Sequence, residues 1–121
     1  MKAACTSRSV DSASSVDVID ITELVRSAYE QSAMEKARIT VFSTEPSTRL
    51  FVNECESGLI QDLRRAIQRM EEAGAPVTLG SASVVMPAAD ERLQLGPWQR
   101  IFLADLEGPR RRQLLIQVTG E

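Results

Sequence analysis

The 121-residue chain contains no histidine. Imidazole is the side chain best suited to proton transfer near neutral pH, and it is a preferred ligand for transition metals. Its absence takes the usual parts away from zinc sites and nucleophilic triads. Cysteine is scarce: Cys5 and Cys55 are the only two, and nothing suggests a disulfide framework. Aromatic residues make up 4% of the chain. The core must therefore be built from Val, Leu, Ile and Ala, with room for a contribution from subunit association. No apolar run approaches membrane-spanning length. Met1-Lys2-Ala3-Ala4-Cys5 carries a positive charge with no apolar segment behind it, unlike a signal peptide. A reduced, cytoplasmic protein without membrane contact is expected. A basic excess is missing too: the net charge is −3, which argues against a general nucleic-acid binder. The run Arg110-Arg111-Arg112 is too short to reverse that balance.

What is present is an ordinary soluble composition, 43% hydrophobic and 26% charged. The length suits one domain with a modest core. Residues 1–12 are small and polar and read as a flexible N-terminal tail. Residues 13–121 read as a single domain. Ser14 to Ile21 is rich in β-branched residues and predicts a strand. Thr22 is placed to cap a helix over 23–35, with Leu24, Val25, Ala28 and Tyr29 at helical spacing. Strands follow at 38–42 and 48–52. Leu59, Ile60, Leu63, Ala66, Ile67 and Met70 trace the stripe of a second helix starting at Ser57 or Gly58, with Gly74 as its C-terminal cap and Pro76 beyond. Val77 to Met86 predicts a strand bent at Gly80 and Ser81, and residues 87–91 predict a turn.

The C-terminal stretch has the densest apolar alternation. Trp98, Arg100, Phe102, Ala104 and Leu106 fall on one face, and Gln99, Ile101, Leu103 and Asp105 on the other. Glu107-Gly108-Pro109 breaks the run. Arg112, Leu114, Ile116 and Val118 then share an apolar face. The two runs predict strands folded back on each other. The whole order predicts an α+β protein with a dominant antiparallel sheet and two helices.

Leu95-Gly96-Pro97-Trp98-Gln99-Arg100-Ile101-Phe102-Leu103, followed by Asp105-Leu106-Glu107-Gly108-Pro109-Arg110 and a terminal Gly120-Glu121, resembles the end of the YjbQ family. That family reads roughly L-G-T-W-Q-x-I-x-L-x-E-x-D-G-P-R there. Asp20-Ile21-Thr22 resembles the D-I-T near the start of such chains. The resemblance covers most of residues 18–121. It implies a jelly-roll-like antiparallel β-sandwich flanked by helices and assembled as a homotrimer. It also implies a metal site built on histidines and a thiamine-phosphate-synthase-like activity.

The site segment departs from the family pattern V-F-x-P-H-T-T-x-x-L-x-x-N-E-N-E. Here Glu45 stands for the histidine, Pro46 and Ser47 for the threonines, and Cys55 for the second asparagine. A histidine-bearing stretch between the second helix and the next strand is missing. The resemblance leaves Glu45 and Glu54 as weak candidates for catalysis or for a weak Mg²⁺ site, and Asn53, Trp98, Gln99 and Arg110 for ligand binding. Oxygen ligands suit Mg²⁺ held largely by water; a tight Zn²⁺, Ni²⁺ or Co²⁺ site is not expected. The bland alternatives stand beside these. Acids near turns are usually solvated. Cys55, between two acids, is not expected to act as a nucleophile. The arginine run serves ion pairs or grips phosphate. Trp98 is expected in the core or at an interface, with ligand stacking as the alternative.

The leading expectation is a diverged, non-catalytic homotrimer acting as a structural or interaction protein. The alternatives are a metabolite-binding protein or enzyme for a small phosphorylated ligand, and a regulatory subunit of a histidine-bearing relative.

Overall fold

In the computed structural model, residues 1–77 and 79–121 are described. Eight strands and two helices follow in the order β1 (Lys2–Asp11), β2 (Asp17–Asp20), α1 (Thr22–Ser32), β3 (Ala37–Ser43), β4 (Thr48–Glu54), α2 (Ser57–Glu72), β5 (Ser83–Ala89), β6 (Arg92–Leu93), β7 (Gln99–Asp105) and β8 (Arg111–Gly120). They form a five-stranded sheet in the order β1-β8-β3-β5-β6 and a three-stranded sheet in the order β2-β7-β4. Every strand pairing is antiparallel. The architecture is the α+β sandwich expected from the order of elements.

Two apolar layers hold it together. Ile39, Val41, Leu114, Ile116 and Val118 face inward from the large sheet and meet Leu50, Ile101 and Leu103 of the small one, with Val25, Ala28 and Tyr29 of α1 closing the side. Phe51, Phe102 and Ala104 point the other way, and α2 covers them with Ile67. β7 is thus buried on both faces from Ile101 to Asp105. This is why its sequence reads as a near-continuous apolar run. The rings of Phe51 and Phe102 stack with centroids 5.5 Å apart.

Several expectations are corrected. Residues 1–12 are not a tail: β1 pairs with β8 along ten consecutive positions, Lys2 opposite Gly120 through Asp11 opposite Arg111. An edge strand draws its stability from the main-chain ladder and needs few apolar residues; only Val10 is buried here. β7 and β8 are not a hairpin. Glu107-Gly108-Pro109 carries the chain across the sandwich, so β7 pairs with β2 and β4 while β8 pairs with β1 and β3. α1 stops at Ser32, because Ala33 adopts a left-handed conformation (φ 56°). That lets Met34 enter the core and the Glu35 and Lys36 amides donate to the Glu121 carbonyl. Thr22 does not cap α1 through its side chain.

The strand after α2 begins later and runs further than expected. β5 starts at Ser83 and continues through Pro87 to Ala89, and the turn is confined to Asp90 and Glu91, both at positive φ. Gly80 lies at φ 76°, and the adjoining Ser81 exchanges backbone hydrogen bonds with Leu50, so the bend falls where expected. Thr78, assigned to that strand from the sequence, lies outside the described residues. α2 matches its expected start and stripe, although Ala66 is exposed. Its N-cap is Glu56, whose carboxylate accepts from the Gly58 and Leu59 amides, and Gly74 follows its end at φ 69°.

Candidate functional site

β4 separates the residues singled out from the sequence into two groups. Its seven residues extend ~20 Å. Glu45 sits before its start and Glu54 at its end. At the Glu45 end the centre is an ion pair. Arg112 donates to both carboxylate oxygens of Asp105, each at 2.9 Å, and Asp105 is fully buried. Arg112 also donates to Glu45 Oε2 at 3.3 Å and to Ser47 Oγ at 2.8 Å. Burial pushes the Asp105 carboxyl up, but the Arg112 guanidinium, Ser12 and the Glu107 amide outweigh it and hold the carboxyl below the ordinary range. Glu45 thus completes the surroundings of a buried arginine. Arg112, the charge ending the β8 stripe, is structural. Arg111 pairs on the surface with Asp11. Arg110 is exposed, and its backbone exchanges hydrogen bonds with Ser12.

The other group gathers at the far end. Asn53 lies opposite Arg100, and Glu54 opposite Gln99, in the β4–β7 ladder. The Cys55 amide donates to the Trp98 carbonyl at 2.9 Å. Gln99 Oε1 accepts from the Gly96 amide at 2.8 Å and shapes the loop before β7. The expectation of a core Trp98 is corrected: its side chain is 72% exposed, because it sits in that loop just before the doubly buried part of β7. The structure therefore brings Asn53, Glu54, Trp98 and Gln99 together and leaves Glu45 and Arg110 at the opposite end. Glu45 and Glu54 do not share a site. Among the described residues there is no group of three or more Cys, Asp or Glu side chains arranged to hold a metal ion. Nor is any described helix long and apolar enough to cross a membrane.

A cleft lies beside this second group and shares Gln99 with it. It has a volume of about 260 Å³ and lies between the N-terminus of α1 and the segment from β6 to the start of β7. Arg26 comes from α1, Arg92 from β6 and Arg100 from β7; Gln94, Gln99, Gly96 and Pro97 complete the wall with Thr22 and two leucines. Asp20 Oδ2 accepts from Arg100 Nε at 2.8 Å, and Glu23 pairs with Arg26 and, at 3.5 Å, with Arg100. Burial raises the Asp20 carboxyl, yet Thr22 and Arg100 more than offset this and hold it low, while Asp20 holds the Arg100 guanidinium up. The Thr22 hydroxyl donates to Asp20 and accepts from the Ile101 amide, both within 2.8 Å. It thereby ties α1 to β7. Most of the cleft's wall is the segment from Arg92 to Arg100, which includes the Leu95-Gly96-Pro97 stretch and Gln99 already singled out; what no local motif announces is the approach of Arg26 from α1. A larger open groove, about 830 Å³, lies between the end of α1 and the β5–β6 turn and is lined by Glu30, Glu35, Asp90 and Glu91.

Comparison with known proteins agrees with the fold. The sequence profile described as UPF0047 protein YjbQ-like matches residues 6–121. The chain is 31% identical over 121 aligned positions to a UPF0047 protein of Methanothermobacter thermautotrophicus, covering 88% of this chain and 85% of that protein. A UPF0047 protein of Archaeoglobus fulgidus is 29% identical, covering 84% and 90%. The crystal structure of a YbjQ-like protein of unknown function from Sulfolobus solfataricus superposes with a TM-score of 0.89 at 26% identity, over 99% of both chains. A hypothetical protein from Aeropyrum pernix gives 0.88 at 25%, over 98% and 99%. The match begins within β1, so the N-terminal strand is part of the shared fold, and the chain belongs to the YjbQ-like UPF0047 family.

Proposed function

We propose that this chain is a diverged YjbQ-like protein that keeps the fold and has given up the family's histidine-based chemistry, acting as a homotrimeric structural or interaction protein. The observation that carries the reading is the uncovered face of the large sheet. Phe42, Val85 and Leu115 are exposed there at 41%, 58% and 39%. Phe42 is paired directly with Leu115, and Val85 with Thr40. Across β1, β8, β3 and β5, beyond the Asp11–Arg111 pair, Arg38 is the only charged residue that shares this face. Depletion of charge with apolar side chains at the centre is the pattern of a protein interface, and a second copy of the same chain is its occupant.

The catalytic alternative has less support. A carboxylate Mg²⁺ site would need Glu45 and Glu54 together. Glu45 is committed to Arg112 and stands at the far end of β4 from Glu54. The residues do not fit the family's metal chemistry. Thiamine-phosphate-type transfer would then lack both its electrophilic assistance and its usual proton carrier.

Sedimentation equilibrium tests the assembly. A trimer is expected, and Leu115→Glu should shift it toward monomer. A wild-type monomer at micromolar concentration refutes the reading. Turnover to thiamine phosphate matching a histidine-bearing relative, and lost in Glu45→Ala, refutes the loss of chemistry.

A further inference from the structure

We infer that the cleft between α1 and the β6–β7 segment is a binding site for the phosphate group of a small ligand. The lining is one-sided in charge. Arg26, Arg92 and Arg100 line it, and no Asp or Glu does. The acids nearby stand on the elements behind it: Asp20 ends β2 and Glu23 lies in the first turn of α1. They fix Arg100 and Arg26 without using all their donors. Asp20 takes Arg100 Nε and Glu23 its Nη2, leaving Nη1 without a partner among the described residues; Glu23 also takes Arg26 Nη1, leaving Arg26 Nη2 without one there. Arg92 has no acidic partner among the described residues. Gln99 is held through its Oε1, so its amide nitrogen is left to donate.

The chemistry of the ligand follows from that donor set. Each guanidinium presents a planar fork of N–H donors and no acceptor. A carboxylate is satisfied by one such fork. Three guanidinium groups lining one cleft suit a tetrahedral oxyanion, which has more oxygens and charge to share among them than a carboxylate has. The volume sets the size. At about 260 Å³ the cleft falls just below the ~300–1,000 Å³ of sites for drug-sized ligands. It admits a phosphate and a short attached group.

The site is tested by titrating the intact protein with inorganic phosphate in a calorimeter at low ionic strength. Acetate serves as the carboxylate comparison. Saturable phosphate binding at one site per chain is expected, with acetate at least tenfold weaker. Arg92→Gln should weaken phosphate at least tenfold without changing the unfolding midpoint, since Arg92 holds no ion pair in the fold. Arg26→Gln should weaken it in the same direction, while Arg110→Gln, at the opposite end of β7, should leave it unchanged. Absence of saturable binding overturns the inference. So does acetate binding as well as phosphate, an Arg92→Gln and Arg26→Gln pair that both bind like wild type, or an equal loss in Arg110→Gln.

Discussion

Replacing Asp105 with Asn removes one charge from the most deeply buried ion pair in the molecule. Asp105 is fully buried and the Arg112 side chain is 4% exposed. Asn keeps the shape but turns one acceptor into a donor facing the guanidinium. Breaking a buried pair by removing one partner costs about 3–5 kcal/mol, because the surviving charge is stranded out of water. Here Arg112 keeps Glu45 and Ser47, so the lower value, about 3 kcal/mol, is expected. An unfolding entropy of about 2.1 cal/mol/K per residue gives the chain roughly 0.25 kcal/mol/K, so the midpoint should fall by ~12 °C. Denaturant and thermal melts at fixed protomer concentration measure it. The double variant Asp105→Asn with Arg112→Met should lose less than the sum of the single losses. Acid gives a second reading. The folded Asp105 carboxyl is held below its unfolded value, so its stabilisation is complete above the ordinary aspartate range, about pH 4, and is lost as the pH falls through the depressed folded value. The gap between wild type and Asp105→Asn should be constant from neutral pH to about 5 and should narrow below about 4. A gap under about 1 kcal/mol at pH 7, or one that persists undiminished in acid, would refute the account of a stranded charge.

Trp98→Ala should change monomer stability by less than about 1 kcal/mol, as expected of an exposed side chain; a larger loss in a chemical melt would place Trp98 in a buried contact. Glu56→Ala should cost about 1 kcal/mol, read in the same melts, through loss of the α2 cap. Gly80→Ala should destabilise by about 1–3 kcal/mol: its φ is 76°, and a Cβ there would stand 2.8 Å from the Leu50 carbonyl oxygen. Glu91→Gly should raise the thermal midpoint, contributing about 0.5–1 kcal/mol, because Asp90 and Glu91 both hold positive φ in a tight turn that favours glycine.

Local patterns announced most elements. The stripe from Leu59 to Met70 located α2, and the alternation from Arg112 to Val118 gave the inward face of β8. Pairing was not local. Alternation states which face a residue takes and leaves the neighbouring strand open. A short break at Gly108-Pro109 serves a hairpin or a crossing between sheets equally well. β1 was overlooked because its pattern is carried by small polar side chains at a sheet edge. Trp98 misled for a different reason: in a chain poor in aromatics, the only tryptophan suggests a core, whereas aliphatic residues fill this one. The arginine cleft was legible in part: Arg92 and Arg100 flank the Leu95–Gln99 stretch singled out from the sequence, while only the tertiary fold brings Arg26 of α1 to them.

The ladder between β1 and β8 has a consequence for how the chain is made. Lys2–Asp11 is translated long before its partner Arg111–Gly120. β8 also separates β1 from β3 in the sheet. Until β8 has been made, β1 therefore has no docking partner, and such sequence-distant pairing closes late and slowly. A strongly apolar segment held open that long would invite association between nascent chains. The waiting strand instead reads Lys-Ala-Ala-Cys-Thr-Ser-Arg-Ser-Val-Asp, a composition that water tolerates. The polarity that disguises β1 as a tail suits it to waiting in water until β8 is available to pair.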